Sequence, residues 1–208
     1  MVSYATIAVA SGESVNAKAT EEKPEILPYK DVEKSDWFYD YVYEMYVNGL
    51  MTGMNETTFA PGGNLERAQF AVILYRMEQS PETAYDTIFP DVEEGQYYTE
   101  AVLWAAGEGI VTGYTDTGRF EPAGAITREQ MAVMMYRYAK SKGYDVENEE
   151  ELSDFPDAEK VSAYAADAVK WCVAKGIITG DQGELKPQNN TNRAECAAMI
   201  SRFMKICK

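Results

Sequence analysis

The chain has 208 residues, of which 46% are hydrophobic and 25% charged, a usage that argues against bulk disorder. Its 19 Lys and Arg against 34 Asp and Glu give a formal net charge of −15, and it has no histidine. The lack of His excludes Ser-His-Asp and Cys-His catalysis and every zinc site that needs imidazole. The negative charge repels a phosphate backbone, so we expect no nucleic-acid partner.

The start of the chain is predicted to be a leader rather than part of the folded core. Its first ten residues are largely apolar and end in Ala8-Val9-Ala10, which resembles a signal-peptidase site but lacks a basic start. We interpret residues 1–27 as a leader or linker, and for residues 1–10 a signal-peptide remnant and a plain chain boundary both stay open. No apolar run is long enough for a membrane span, so we predict none.

Three landmarks recur in one order three times, which identifies a tandem triplicate. The first is an Asp near the start of each unit; these are the start aspartates, Asp31, Asp91 and Asp157. The second is a five-residue block that begins and ends with Gly and has Thr before the last Gly; its last residues are Gly53, Gly113 and Gly180. The third is an Arg six residues after a Pro; these are the motif arginines, Arg67, Arg128 and Arg193.

The apolar periodicity predicts two helices in each unit. Apolar residues at i, i+3 and i+4 precede each Gly block and follow each motif arginine, as in Val42, Met45 and Tyr46. Thr127-x-x-Gln130 and Asn192-x-x-Glu195 have the spacing of capping boxes at the second helix. A two-helix unit of about 50 residues cannot bury enough apolar surface alone, so the three are predicted to share one core.

The predicted organisation is therefore an all-α chain of three tandem helix-loop-helix repeats. The repeats are predicted over residues 28–80, 86–140 and 152–207 (units one, two and three). Residues 141–151 contain four Glu and are predicted to be a solvated acidic linker.

The three units resemble the S-layer homology (SLH) domain, a family usually found as three consecutive repeats. The family pattern runs from a helix ending in Gly-Ile-x-x-Gly, through a loop to Phe-x-Pro, to a Thr-Arg-Ala-Glu helix start. The matching segments are Phe59-Ala60-Pro61 with Leu65-Glu66-Arg67-Ala68-Gln69, Phe120-Glu121-Pro122 with Ile126-Thr127-Arg128-Glu129-Gln130, and Leu185-Lys186-Pro187 with Thr191-Asn192-Arg193-Ala194-Glu195. The resemblance extends from about Tyr29 to Phe203.

This resemblance implies a pseudo-threefold bundle with three prongs that attaches exported proteins to the cell wall. The implied ligand is an anionic secondary cell-wall polysaccharide, often carrying pyruvate ketals on an amino sugar, bound in grooves between neighbouring repeats. The implied binding residues are the motif arginines, the start aspartates and a third set, the early aromatics Trp37, Tyr97 and Tyr164. Because unit three has a shorter loop without the Phe, we expect unequal grooves, with a purely structural unit three as one option.

Two interpretations of the motif arginines stay open on the residues alone. A cation in the first helical turn is disfavoured by the helix dipole by roughly 0.3–1 kcal/mol, so it needs an anion. That anion is either a start aspartate, in an internal ion pair, or a ligand carboxylate held by the guanidinium and free helix amides. The resemblance favours the ligand for Arg67 and Arg128 and leaves both alternatives open for Arg193.

The early aromatics also have two interpretations, which are stacking on a sugar face and packing in the core; for an isolated aromatic, core packing is favoured. Trp104 and Trp171 are predicted to pack in the core. Cys172 and Cys196 align with apolar residues of the other units and are predicted to be buried thiols, whereas Cys207 lies at a frayed end. The cysteine spacing fits no metal site, and no acidic array resembles an EF-hand loop. We predict no metal and no cofactor, with calcium as a minor alternative.

The functional hypothesis is a non-catalytic, extracellular wall-anchoring module of a bacterial surface or S-layer. Its predicted partner is cell-wall polysaccharide, with an S-layer or enzyme passenger domain in a longer parent chain. An enzyme is disfavoured because every notable polar residue belongs to the threefold repeat. The alternatives are a helical-repeat protein-interaction domain and the anchor fragment of a larger exported enzyme.

Overall fold

A computed structural model describes residues 26–147 and 151–207, and within them the chain is all-α, as predicted. The interpretations of residues 1–10 lie outside the described residues. Leu27, the last residue of the predicted leader or linker 1–27, is buried in the core, so that segment was predicted to extend too far. The helices are α1 (Tyr39–Val47), α2 (Arg67–Met77), α3 (Thr99–Gly107), α4 (Arg128–Ser141), α5 (Ala166–Ala174) and α6 (Arg193–Met204). Two 3-10 helices, Ala158–Lys160 and Ala163–Ala165, precede α5. None of these helices is long and apolar enough to cross a membrane.

The first and last glycines of the Gly block have different roles at the end of the first helix of each unit. Its first glycine adopts a left-handed conformation, with φ of 67° at Gly49 and 71° at Gly109, which closes the helix without the steric cost of a side chain. The last glycine is also left-handed in units two and three, whereas Gly53 in unit one is needed for a close approach. A Cβ on Gly53 would lie 2.5 Å from the Tyr29 ring, so no side chain fits there.

The main helix–helix contacts join neighbouring units rather than the two helices of one unit. Helix α2 packs on α3, α4 packs on α5, and α6 returns to pack on α1. The second helix of each unit therefore covers the first helix of the next, and the cycle closes on itself. The buried apolar residues form one continuous cluster drawn from all three units, which confirms the predicted shared core.

A ring of backbone hydrogen bonds marks the centre of this cycle. Leu65 N–H donates to the Thr191 carbonyl, Thr191 N–H to the Ile126 carbonyl, and Ile126 N–H to the Leu65 carbonyl, each at 2.9 Å. All three residues are fully buried. Two of their side chains are aliphatic, but the Thr191 hydroxyl is buried without a hydrogen-bond partner in the described structure. The centre is thus apolar in two units and carries an unsatisfied polar group in the third.

The start aspartates hold the turn that precedes the second helix. The Asp31 carboxylate accepts hydrogen bonds from Phe59 N–H at 2.8 Å and Ala60 N–H at 2.7 Å. Asp91 and Asp157 bind the equivalent amides of their own units at 2.7–2.9 Å. Ala60 has a φ of 59°, a left-handed conformation that costs a non-glycine residue roughly 1–2 kcal/mol. The carboxylate therefore stabilises a turn that the chain would not adopt unaided.

These contacts set the protonation of the start aspartates. Burial raises the pKa of each carboxyl, but the two backbone N–H donors outweigh it and hold the pKa below its ordinary value. A carboxyl whose pKa is lower in the folded than in the unfolded chain stabilises the fold above the unfolded pKa. That contribution is lost as the pH falls through the folded pKa.

The predicted core side chains are found where expected. Cys172 and Cys196 are fully buried free thiols, and burial raises the pKa of both. Trp104 and Trp171 are also buried, which confirms their predicted core packing. Cys207 is half-buried against the core rather than fully frayed.

The predicted acidic linker 141–151 is exposed at most of its described residues, and two half-buried side chains attach it to the core. Ser141 ends α4, and Tyr144 and Val146 pack against the core. The Tyr144 hydroxyl donates to the Cys207 carbonyl at 3.3 Å, and the Trp171 indole N–H donates to the Asp145 carbonyl at 3.2 Å. The glutamates dominated the composition, but the two apolar side chains determine how the segment packs.

We predict that Thr191→Val raises the free energy of unfolding by about 1 kcal/mol, because it removes a buried hydroxyl without a partner and keeps the side-chain volume. Urea unfolding of the two proteins measures this difference. Thr99→Val is the matched control, because the buried Thr99 hydroxyl donates to the Glu93 carbonyl at 2.6 Å and accepts from Gln96 N–H at 3.0 Å. The control should destabilise, and equal destabilisation by both substitutions would contradict the assignment.

We predict that Asp157→Asn lowers the free energy of unfolding at pH 7 by about 1–3 kcal/mol, because Asn cannot accept both amide hydrogen bonds. The difference should shrink as the pH falls below about 4, where the carboxyl of the unfolded chain becomes protonated, and it disappears as the pH falls through the lower pKa of the folded chain. Urea unfolding at pH 7 and pH 3 measures it. Asp154→Asn, an exposed substitution with the same charge change, is the control. A difference that stays constant between the two pH values would rule out the proposed role of the carboxylate.

Candidate functional site

Three equivalent grooves run between the units, and each is assembled from all three. A groove takes a motif arginine from one unit, the end of the Gly block and the second helix from the next unit, and the early aromatic from the remaining one. Groove 1 contains Arg193, the loop at 52–54 and Tyr97. Groove 2 contains Arg67, the loop at 112–115 and Tyr164. Groove 3 contains Arg128, the loop at 179–181 and Trp37.

The motif arginines are the first residues of α2, α4 and α6, and they are only 8%, 6% and 5% exposed. Each Nε donates to the backbone carbonyl of a Phe or Leu in the next unit. The N–H of that same Phe or Leu donates to the start aspartate of its own unit. These Nε–O distances are 2.8 Å from Arg67 to Phe120, 2.9 Å from Arg128 to Leu185, and 2.8 Å from Arg193 to Phe59. Each guanidinium therefore fastens the turn of the neighbouring unit while its outer edge faces the groove.

The structure excludes a direct ion pair between the start aspartates and the motif arginines. In residues 26–147 and 151–207, neither set lies within ion-pair distance of the other, and Asp91 instead pairs with Arg119 at 3.5 Å. The aspartates are occupied by the turn amides. Their part in the site is to position the carbonyl that the arginine binds.

The expected free helix amides are not free, so that part of the sequence prediction is wrong. Arg67 N–H donates to the Gly124 carbonyl at 2.9 Å, and Ala68 N–H donates to the Pro122 carbonyl at 3.0 Å. The first two amides of α4 and α6 bind the next unit in the same way. The third amide of α6 is capped by Asn192, as its capping-box spacing predicted. Because these amides hydrogen-bond to the neighbouring unit, they are not available to a ligand.

The three motif arginines differ in how much of the guanidinium remains available. Arg193 also donates through Nη2 to the Thr52 carbonyl at 2.6 Å, and Arg128 lies 3.6 Å from the Glu195 carboxylate. Arg67 has no such second partner among the described residues, and its guanidinium carbon lies 4.7 Å above the Tyr114 ring. Burial lowers the pKa of Arg67 and Arg193, yet a guanidinium stays charged in a protein. Arg67 offers the most unused donors.

A second set of arginines lines the grooves and was missed in the sequence. These helix arginines are Arg76, Arg137 and Arg202, one in each groove and each nine residues after a motif arginine. Each donates to the carbonyl that follows the first Gly of the block, at 3.1–3.4 Å. Their identical register in all three units was the available signal. Outside the apolar stripe, an Arg resembles an ordinary solvated helix residue, so the pattern was overlooked.

The early aromatics are exposed, with 62% of Trp37, 65% of Tyr97 and 61% of Tyr164 accessible, so the core-packing interpretation is wrong for all three. Tyr164 is held in place because its hydroxyl donates to the buried Glu129 carboxylate at 3.0 Å. Burial and this contact raise the pKa of Tyr164. An exposed ring fixed by its hydroxyl presents a face at the groove.

The grooves differ in charge mainly because of the residue at one position, the third of the second helix. Grooves 1 and 2 have Gln69 and Gln130 there, whereas groove 3 has Glu195 together with Asp181 from its loop. Grooves 1 and 2 are therefore lined by two arginines and no carboxylate. In groove 3, Glu195 offsets Arg128, and Asp181 pairs with Lys186 at 2.6 Å. Groove 2 is the largest of the three, with a volume of about 360 Å³ against about 250 Å³ for groove 3 and 130 Å³ for groove 1.

Comparison with known proteins identifies the repeated unit. The model of the S-layer homology domain matches residues 28–71, 88–132 and 154–197. The chain is 33% identical over 190 residues to an endoglucanase of Bacillus sp. (strain KSM-635), which covers 91% of the chain and 20% of that protein. It is 26% identical over 197 residues to a cellulosome-anchoring protein of Acetivibrio thermocellus, covering 92% of the chain and 41% of that protein.

A third relative is an S-layer protein (sap) of Bacillus anthracis, 27% identical over 179 residues, covering 85% of the chain and 21% of that protein. The chain thus spans between about one fifth and two fifths of the length of these relatives. The matched region is thus shared by proteins whose names describe different functions. The chain belongs to the S-layer homology domain family, whose role is anchoring rather than catalysis, and it is an extracellular, cell-wall-associated anchoring module.

Proposed function

We propose that the chain attaches to the cell wall by binding an anionic polysaccharide in its inter-unit grooves. The observation that carries this proposal is groove 2, where Arg67 and Arg137 line a cavity that has no carboxylate and an exposed Tyr164 at its side. A carboxylate substituent on the sugar, such as a pyruvate ketal, is the anion that the family resemblance predicts. The module itself acts without catalysis or cofactor.

The geometry supplies both charge recognition and sugar recognition. A guanidinium binds a carboxylate through two parallel N–H donors, and such charge-assisted bonds are stronger than neutral ones. Arg67 is preorganised for this because its Nε bond to the Phe120 carbonyl fixes the plane of the group. The Tyr164 ring provides an apolar face for the axial C–H side of a pyranose. Arg67 would therefore recognise the anionic substituent, and Tyr164 would recognise the sugar ring.

The grooves are not equivalent in this proposal. Grooves 1 and 2 are suited to an anionic substituent, because their arginines have no opposing carboxylate. In groove 3, Glu195 lies 3.6 Å from Arg128 and would repel the same ligand. The family resemblance favoured ligand binding at Arg67 and Arg128, whereas the geometry favours Arg67, with Arg193 in the narrower groove 1. The start aspartates act as positioning residues for all three arginines.

The second part of the proposal is that the module belongs to a longer exported protein. Its relatives include an endoglucanase and a cellulosome-anchoring protein, of which the matched region makes up only 20% and 41%. A passenger domain, whether catalytic or S-layer-forming, would then be held at the wall by this module.

We predict that Arg137→Gln combined with Tyr164→Ala raises the apparent dissociation constant for isolated Bacillus cell walls about tenfold, because one charged hydrogen bond and one ring contact are lost from groove 2. Cosedimentation of the purified protein with the walls measures it. These side chains are chosen because Arg67 also fastens the fold.

Two controls sharpen this experiment. Lys140→Gln removes a cation from an exposed position outside the grooves and should leave binding unchanged. Walls stripped of their secondary polysaccharide should no longer sediment the protein. Equal sedimentation with stripped and intact walls would refute polysaccharide binding, and full binding by the folded double variant would refute groove 2 as its site.

A further inference from the structure

A separate cavity of about 570 Å³ lies beside groove 1, between the connection from unit one to unit two and the start of α3. Three tyrosines line it (Tyr75, Tyr85 and Tyr97), together with the polar side chains of Glu94, Gln96 and Glu100. Neither the motif arginines nor the helix arginines reach it. It is therefore distinct from the three repeated grooves.

Hydrogen bonds hold the side chains that line this cavity in place. The Tyr75 hydroxyl lies 2.5 Å from the Pro81 carbonyl and 3.0 Å from the Glu100 carboxylate, and these two acceptors share its single proton. The Tyr85 hydroxyl donates to the Val92 carbonyl at 3.4 Å, which ties the connecting segment to the beginning of unit two. These contacts preform the cavity, so a ligand would not have to order it on binding.

The free polar groups determine what the cavity can accept. The side chains of Glu94 and Gln96 are exposed and form no hydrogen bond with another described residue. Together with Glu100 they present several acceptors and one amide donor next to tyrosine rings. Carboxylates beside aromatic faces suit the hydroxyl groups and C–H faces of a sugar ring. With two carboxylates and no cation in its lining, the cavity would repel a carboxylated sugar.

The cavity and groove 1 are neighbours that share one lining residue. Tyr97 lines both, so its exposed ring separates the arginine pair of groove 1 from the carboxylates of the cavity. A polysaccharide whose anionic unit occupies groove 1 would pass over Tyr97 and bring the next unit of the same chain into the cavity. The corresponding ring of groove 2, Tyr164, lines neither this cavity nor groove 3.

From this arrangement, and resting on the proposed function, we infer that the cavity is a second sugar subsite. It binds the unit next to the anionic one, and that unit carries no carboxylate. Groove 1 and the cavity together then bind two consecutive sugars of one polysaccharide chain. The connection between units one and two, which supplies Tyr85, acts as a specificity element of the module.

An NMR titration with two probes tests this inference. The first probe is the methyl glycoside of a pyruvylated amino sugar, and the second is a set of oligosaccharides from partly hydrolysed Bacillus wall polysaccharide that contain the same unit beside uncarboxylated ones. Both probes should shift the amides of Gly53 in groove 1 and Gly113 in groove 2. Only the oligosaccharides should shift the amides of Gly95 and Gln96 in the cavity.

The variant Glu94→Ala with Gln96→Ala removes two side chains that make no hydrogen bond to the described protein. It should raise the oligosaccharide dissociation constant read at Gly53 about five- to tenfold. The constant read at Gly113 and both constants for the monosaccharide should not change, and groove 2 is thus an internal control. Glu159→Ala, which removes an exposed carboxylate from unit three, should change none of them.

The outcomes separate this inference from the proposed function. If both probes bind at Gly53 but the oligosaccharides leave Gly95 and Gln96 unshifted, or if the variant binds them as tightly as the parent, the subsite is refuted and the groove function stands. If neither probe binds the unaltered protein, polysaccharide recognition by the grooves is refuted, and the subsite with it.

Discussion

The fold depends on a buried guanidinium that reaches from each unit into the turn of the next. Its Nε binds a carbonyl of that turn, and the adjacent backbone amides of the turn are held by a start aspartate. Removing either partner would leave a buried polar group unpaired, which costs more than an ordinary hydrogen bond contributes. Because the contact is repeated three times in a closed cycle, no unit has a complete core or a complete turn without its neighbours.

The same contact explains why the grooves exist where they do. The arginine that joins two units has five N–H donors, and the turn carbonyl uses only one of them. The remaining edge faces the space between the units, beside the exposed aromatic of the third. A structural requirement thus places a cation in every groove, and the neighbouring positions decide whether that cation is available. Gln130 leaves it available in groove 2, whereas Glu195 offsets it in groove 3.

Much of the fold was readable in the sequence because it rests on local rules repeated three times. The apolar stripes, the capping residues of α4 and α6 and the left-handed Gly49 each follow from short-range chemistry. The site was only half predictable. The motif arginines and early aromatics were identified, but their partners lie in other units: Arg193 binds Phe59, 134 positions away. No spacing within a unit indicates that cyclic pairing.

The errors have the same origin. The helix amides were expected to be free because each unit was considered alone, whereas the next unit supplies carbonyls that occupy them. Trp37 and the two equivalent tyrosines gave no sign of exposure, since an aromatic ahead of an apolar helix usually packs inward. The net charge of −15 is likewise a property of the whole chain, and it does not predict the local charge of a groove that is lined by two arginines. At physiological salt, distant carboxylates are screened over about 8 Å, so the local cations dominate inside a groove.

The most direct test of the central claim is native-state hydrogen exchange at the three amides of the central ring, those of Leu65, Ile126 and Thr191. If the cyclic arginine contacts make the three units one cooperative structure, these amides must exchange only through global unfolding. Their free energies of exchange should then be equal to one another and to the free energy of unfolding measured in urea. A distinctly lower value at one of the three would show that a unit opens on its own, and it would contradict the account.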